Sequence, residues 1–377
     1  MTARRLHVLQ VCSSRSWGGM EMHVAVLAKE LSKRGHRVTA LAARNSRLFA
    51  ELERQHINTH DFSPKAYFDV FSTIKLIELL KRSSIDAIHA HYSKDLWSIV
   101  MACKFSSAIP VVFIKHIGTQ KPKRDPLHRF IYKNVSHTIA VSQVIKDNLL
   151  NTHPLDASRV SVIHHGIDMN YYRRSRGDRE KTRCEFNIDD DDILIGTIGR
   201  LQEGKGHLEF LEVAGVIGKR YPASRFIIVG EPTHGEEDKA EIIYKKAKET
   251  ALADRLVFTG FRADIPALLS AMDIFVFPSR AEAFGLVLIE AMSAGLPVIA
   301  NRSDGILDII EDGVNGLLIA PMNIDLWVER VERLIRHPEL RSRLARSAVE
   351  TVRSKFTTQK MVVQVESIYN SCLSAQS

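Results

Sequence analysis

The sequence predicts an α/β protein made of two doubly wound domains, each built on a parallel sheet. Three observations lead there. Strand-like and helix-like segments alternate along all 377 residues, as they do where helices cross between parallel strands. The length suits two domains better than one. A segment poor in apolar residues, 169–192, divides the alternation into two series.

In the first series, short apolar runs at 6–12, 37–42, 87–90, 111–115, 138–141 and 160–164 predict strands. Helical periodicity lies between them, at 22–34 and 72–81 for instance. The second series has strand runs at 193–198, 225–229, 256–259, 274–277 and 297–300. Between the two, 169–192 is rich in Arg, Asp and Glu and reads as a linker with an opening helix at most. The boundary is placed near residue 170. This gives an N-terminal domain over 1–170, a C-terminal domain over 171–356 and a last helix within 357–377, which could lie against either domain. Such domains are expected to face each other with the carboxyl ends of their strands across a cleft, where open α/β sheets bind ligands.

A hydrophobic content of 45% with 25% charged residues is ordinary for a soluble globular chain. No apolar run reaches the length of a bilayer span. The N-terminus does not read as a signal peptide. Cys12, Cys103, Cys184 and Cys372 are far apart, which suits reduced thiols in a cytoplasmic protein, with neither a cysteine zinc site nor a disulfide frame. The net charge of +8 is uneven: residues 1–170 carry 24 Lys+Arg against 13 Asp+Glu, and residues 171–377 carry 28 against 31. The basic half is suited to an anionic partner such as lipid head groups or a phosphorylated glycolipid. Lys115, Lys121, Lys123, Arg124, Arg129 and Lys133 form a basic run that could rest on the inner face of an anionic membrane, or be only a solvated face. No nucleic-acid module signature accompanies the charge, so nucleic acid is not an expected partner.

The richest stretch is 277–299. An apolar strand runs into Pro278, a polar loop follows, and a helix opens near Gly285. Glu282 lies in the loop and Glu290 about one turn inside the helix. Between them are the backbone N–H groups of Phe284, Gly285 and Leu286. A helix start attracts phosphate, because its first amides lack partners and the peptide dipoles point positive there. The flanking carboxylates would repel that phosphate but accept from hydroxyls. The implied ligand has polyols on both sides of a phosphate group, as a nucleoside-diphosphate sugar does.

Other residues sit at strand ends. Gly18 and Gly19 follow the first strand and open a helix, where paired glycines let backbone amides approach a bound group. Arg200 and Lys205 lie in a loop with three glycines after strand 193–198, placed to clamp a diphosphate as charge grows on it. His116 ends strand 111–115, where it could donate to a phosphate or sugar hydroxyl; His89 and His91 end another strand in the same way. The run Asp189, Asp190, Asp191, Asp192 invites a metal reading. It precedes its strand, at the opposite end from the ligand edge, and is expected to be a solvated turn.

Together these residues resemble the GT-B glycosyltransferases of family four, a large retaining family that includes bacterial mannosyl-, glucosyl- and N-acetylglucosaminyltransferases and sucrose synthases. The resemblance covers nearly the whole chain. Its most specific part is Glu282 and Glu290 with Phe284-Gly285-Leu286 between and Gly295-Leu296-Pro297-Val298-Ile299 after. Gly199-Arg200 with Lys205-Gly206, Gly18-Gly19-Met20-Glu21 and Val162-Ile163-His164-His165-Gly166-Ile167-Asp168 carry the rest. The pattern departs at His165, where the family usually has Asn, and at Asp308, where it usually has Glu.

The resemblance implies roles. Glu290 would bind the nucleotide ribose and Glu282 the donor sugar. Arg200 and Lys205 would hold the diphosphate, helped by amides of Gly19, Phe284, Gly285 and Leu286. His116 matches the family's active-site histidine near the donor sugar. The implied activity is retaining sugar transfer from a nucleotide sugar to a glycan or glycolipid in lipopolysaccharide or envelope polysaccharide synthesis, with no metal or other cofactor. Two alternatives remain open on the residues: a nucleotide-sugar epimerase or phosphorylase on the same fold, and a non-catalytic carbohydrate-binding relative.

Overall fold

The structure, a computed structural model, describes residues 4–106, 108–232, 235, 237–250, 252, 254–320 and 323–375. Residues 1–3 of the N-terminus and 376–377 of the last segment lie outside the described residues. The chain divides into two compact units, one of Met1–Gly166 with Thr358–Ser377 and one of Ile167–Thr357.

The first unit runs β1 (His7–Cys12), α1 (Gly19–Lys33), β2 (Arg37–Ala42), α2 (Arg47–Arg54), β3 (Asn58–Asp61), α3 (Val70–Arg82), β4 (Ala87–Ala90), α4 (Leu96–Phe105), β5 (Val111–Lys115), α5 (Pro126–Lys133), β6 (His137–Ala140), α6 (Gln143–Thr152) and β7 (Val160–Val162). Its seven parallel strands lie in the order β3-β2-β1-β4-β5-β6-β7. The central strands are buried throughout, because helices cover both faces of a doubly wound sheet and leave no solvated side. β3 escapes a hydrophobic reading. Its Asn-Thr-His-Asp is polar, and it pairs on one side only, at the sheet edge.

The second unit runs α7 (Arg176–Glu185), β8 (Ile193–Ile198), α8 (His207–Arg220), β9 (Ser224–Val229), α9 (Glu237–Glu249), β10 (Leu256–Phe258), α10 (Ile265–Ala271), β11 (Ile274–Phe277), α11 (Leu286–Ser293), β12 (Val298–Asn301), β13 (Leu317–Ile319), α12 (Ile324–Arg336) and α13 (Pro338–Lys355). Six parallel strands lie in the order β10-β9-β8-β11-β12-β13. The core fills with Phe210, Phe226, Ile274, Val276 and Trp327.

Segment 169–192 is more than a linker. It contains α7, which docks on α10 through arginines. Buried Arg183 donates to Ala271 O at 3.1 Å and Asp192 O at 2.7 Å and pairs with Asp273 at 3.2 Å. Arg174 and Arg179 reach Met272 O and Ala271 O, each at 2.8 Å. These guanidinium groups meet carbonyls at the end of α10, so charged residues here do packing work. Asp189, Asp190 and Asp191 lie exposed in a turn, while Asp192 is buried and paired with Arg225 at 2.8 Å.

The last helix, α14 (Thr358–Ser374), belongs to the first unit. Glu366 accepts two bonds from the Arg34 guanidinium, at 2.6 and 2.8 Å, and lies 2.8 Å from His36 Nε2. Among the described residues no helix is long and apolar enough to cross a membrane.

Candidate active site

In the second unit the site forms where the strand order turns. β8 and β11 are neighbours there, and the loops after them, 199–206 and 278–285, share one sheet end. Gly206 makes the junction tight. Its φ is +78°, and a Cβ at this position would come within 2.2 Å of Pro278 O. Arg280 N donates to Gly204 O at 2.8 Å, and Asn301 Nδ2 at the end of β12 donates to Pro278 O at 2.6 Å.

The junction places Lys205 Nζ 2.7 Å from Glu282 Oε2. Their side chains are 20% and 19% exposed, so water reaches both groups only in part. The sequence reading sent Lys205 to a diphosphate and Glu282 to sugar hydroxyls; the structure brings the two into one ion pair. Ser279 Oγ also donates to Glu282 Oε2, at 3.3 Å. The carboxylate keeps lone pairs on its other oxygen that can accept from hydroxyls. A further clamp fixes the loop: Gly305 N donates to Glu282 O at 3.0 Å, and Glu282 N to Asp304 Oδ2 at 3.3 Å. At Gly305 a Cβ would sit 2.3 Å from Ala283 O.

Helix α11 begins after this loop. Gly285 is its N-cap with φ +101° and no side-chain cap, which leaves the helix start to its own amides. Phe284 is buried against Phe356, with ring centres 5.7 Å apart. Glu290, inside the helix, is 6% exposed and accepts from the Tyr172 hydroxyl at 2.8 Å. Burial pushes its carboxyl up to about 7, against the pull of the Tyr172 hydrogen bond. Arg200 is exposed at the end of β8, and its carbonyl lies 2.9 Å from the His207 ring. Lys205, Glu282, Phe284, Gly285, Leu286 and Glu290 thus gather on two loops and one helix start, with Arg200 on the first of those loops.

Sequence reasoning missed Tyr172, Asn301, Asp304 and Gly305. The first sat in the supposed linker, and the other three act on backbone that only the fold brings near.

In the first unit, Gly18 is the N-cap of α1 and Gly19 its first residue. Ser14 Oγ donates to Glu21 Oε1 at 2.5 Å, which secures the loop between β1 and the helix. His116 follows β5 and is buried. Burial holds its ring well below the ordinary histidine range, and His23 and His165 add to the effect. Lys115 departs from the exposed basic run. It is half-buried, donates to Ser93 Oγ at 3.2 Å, and burial lowers its ammonium to about 8.

Two family models match the chain, Glycosyltransferase Family 4 over residues 17–171 and Glycosyl transferases group 1 over residues 178–351. The chain belongs to the family-four glycosyltransferases and has their GT-B fold. Among family relatives, N-acetyl-alpha-D-glucosaminyl L-malate synthase of Bacillus anthracis is 24% identical over 367 residues, 94% of each chain. D-inositol 3-phosphate glycosyltransferase of Mycobacterium marinum is 24% identical over 265 residues, 67% of this chain but 56% of that protein, so the chain spans little more than half of that relative. The crystal structure of Anabaena HepE in complex with UDP and glucose superposes with a TM-score of 0.84 at 25% identity, covering 97% of this chain and 100% of HepE. A glycosyltransferase from Rickettsia africae shares the fold, with a TM-score of 0.89 at 21% identity over 98% of this chain and 99% of that one.

Proposed function

We propose that this glycosyltransferase moves a sugar from a nucleoside-diphosphate sugar to a glycan or glycolipid acceptor and retains the anomeric configuration. The observation that carries the reading is the Lys205–Glu282 pair at 2.7 Å, set beside the start of α11 with Glu290 one turn inside. A cation and a helix start suit the diphosphate; the two carboxylates suit hydroxyls on either side of it. HepE, described with UDP and with UDP-glucose, supports a nucleotide sugar as donor.

The chemistry follows from charge. The bond between the anomeric carbon and the diphosphate oxygen breaks, and negative charge grows on the leaving group. Arg200, Lys205 and the α11 amides stabilise it, most strongly where water is excluded. The acceptor oxygen bonds to the anomeric carbon on the face the diphosphate leaves. Its proton passes to the departing phosphate oxygen, so the configuration is kept and no metal enters the step.

The acceptor reading rests on the basic first half. Lys121, Arg124, Arg129 and Lys133 are exposed on and before α5, and an aromatic tip lies close by. Phe71 is 82% exposed, and Tyr67 and Phe68 are exposed too. The Phe68 ring is 4.7 Å from Trp97, whose ring is 5.3 Å from His128 on α5. Basic and aromatic groups side by side suit an anionic bilayer surface at the inner membrane face, where an envelope or lipopolysaccharide glycolipid would be met. A second reading, a small anionic acceptor, is favoured by the relatives named for inositol 3-phosphate and for malate.

The test is a donor panel scored by thermal stabilisation, then transfer followed by NMR of the product's anomeric proton. Stabilisation by no nucleotide sugar, or an inverted product, would end the corresponding part of the proposal. Sedimentation with anionic vesicles, weakened by salt and by Phe71→Ser, tests the membrane surface. Its absence at low salt would leave the small acceptor standing.

A further inference from the structure

The stretch of α11 that carries Glu290 is sealed from water, with Leu288, Ile289, Ala291 and Met292 all at 0% exposure. Among the described residues no cation pairs with Glu290 and no acid acts on it. Apart from burial, the group that acts on its carboxyl is the Tyr172 hydroxyl, which donates to Oε1 at 2.8 Å. The last torsion of a glutamate is soft, so this single donor decides which way the carboxylate plane lies.

Tyr172 is itself held from both sides within the second unit. Upstream, Ile167 N donates to Phe356 O at 2.9 Å. Downstream, Arg174 donates to Met272 O at 2.8 Å and Ser175 N to Ser270 Oγ at 3.2 Å. The Tyr171 ring lies edge-on, with centres 5.1 Å apart. Burial and the neighbouring Glu290 charge hold the Tyr172 phenol far above its ordinary range, so it gives a hydrogen bond and keeps its proton. A side chain fixed on both flanks can orient another group that has no other support.

We infer that Tyr172 is a positioning residue for the donor: its hydroxyl fixes the plane of the Glu290 carboxylate and favours its charged form, so that the remaining lone pairs meet the ribose hydroxyls of a nucleoside diphosphate. The inference rests on the donor reading of Glu290 and adds a residue that acts through it. A carboxylate offers about four acceptor directions, of which Tyr172 takes one. The neutral acid would set a proton where the ribose has to donate. Burial favours that neutral acid, and the Tyr172 bond opposes it. Without the hydroxyl, nucleotide binding would have to expel the proton and turn the carboxylate at the same time.

The test measures nucleotide binding to the full chain by calorimetry from about pH 6 to about pH 9. The probes are UDP, GDP and ADP, with the 2′-deoxy and 3′-deoxy forms of whichever binds most tightly. Tyr172→Phe keeps the ring and should weaken binding ~10-fold near neutral pH, with the rise in affinity displaced to higher pH. 3-Fluorotyrosine in place of Tyr172, a stronger donor, should displace it to lower pH. Tyr171→Phe, at an exposed neighbour, should match the wild type. Glu290→Gln should weaken binding at every pH and abolish the penalty for a missing ribose hydroxyl. Circular dichroism establishes that each variant is folded, and if Tyr172→Phe is not, the fluorinated protein decides. Wild-type binding in Glu290→Gln, or binding of none of the three diphosphates, would end the donor reading and this inference with it. Weak binding in Glu290→Gln beside unchanged binding in Tyr172→Phe would leave the donor reading standing and overturn the inference. So would a loss in Tyr172→Phe that is equal at every pH, the mark of a merely structural role.

Discussion

The hydroxyl of Tyr172 donates to Glu290 at 2.8 Å, inside the protein and away from water. Desolvation and this bond pull the carboxyl in opposite directions, and burial wins, leaving it at about 7 against an ordinary value of 4.5. The sign follows. Between those two values the folded protein keeps a proton that the unfolded chain releases, so the Glu290 contribution to stability falls as pH rises from about 4.5 to about 7. Glu290→Gln should remove this slope, worth on the order of 3 kcal/mol, in urea unfolding at pH 5 and pH 8. Tyr172→Phe should push the carboxyl higher still. A slope unchanged in Glu290→Gln would place the titration elsewhere.

Donor binding should act on the same carboxylate. Ribose hydroxyls donate only to its ionised form in full, so binding should release a proton and strengthen as pH rises through about 7. Calorimetry in buffers of different ionisation enthalpy measures that proton. Its persistence in Glu290→Gln would separate Glu290 from the nucleotide.

Lys205→Ala is expected to lower kcat by ~10²–10³ through lost stabilisation of the leaving diphosphate. The same change frees Glu282 from its ion partner, so KM for the donor should also move. Wild-type turnover in this variant would remove Lys205 from the chemistry.

Two glycines in one loop should behave differently. Gly204 and Gly206 both have positive φ, but a Cβ at 204 meets nothing within 4 Å, while one at 206 meets Pro278 O at 2.2 Å. Gly204→Ala should cost ~1 kcal/mol from backbone strain alone. Gly206→Ala should cost ~3 kcal/mol and part the two loops. Equal melting temperatures for the two would contradict the close approach.

Arg183 is 1% exposed and joins α7 to α10 and Asp273. Arg183→Ala should cost ~3 kcal/mol, because Asp273 and buried carbonyls lose a charged donor. Arg176→Ala, an exposed pair with Glu180, should stay within ~0.5 kcal/mol. Denaturant midpoints compare them directly.

The strands that carry the site were legible because each is a local apolar run: β8 and β11 lie where the sequence predicts them, at 193–198 and 274–277. The start of α11 at Leu286 was legible from Gly285. β3 and β13 were not, one being polar and the other three residues long. α7 hid behind its arginines, since charge in sequence does not reveal that a guanidinium will meet carbonyls of a distant helix. The Tyr172–Glu290 and Lys205–Glu282 contacts join residues far apart along the chain. Local periodicity has no register of such meetings.

The return of α14 to the first unit has a bearing on biosynthesis. Arg34, His36 and His89 wait for Glu366 and Tyr369, and those arrive only after Ile167–Thr357 has emerged from the ribosome. A nascent chain therefore holds every residue of the second unit before the first unit receives the helix that completes it.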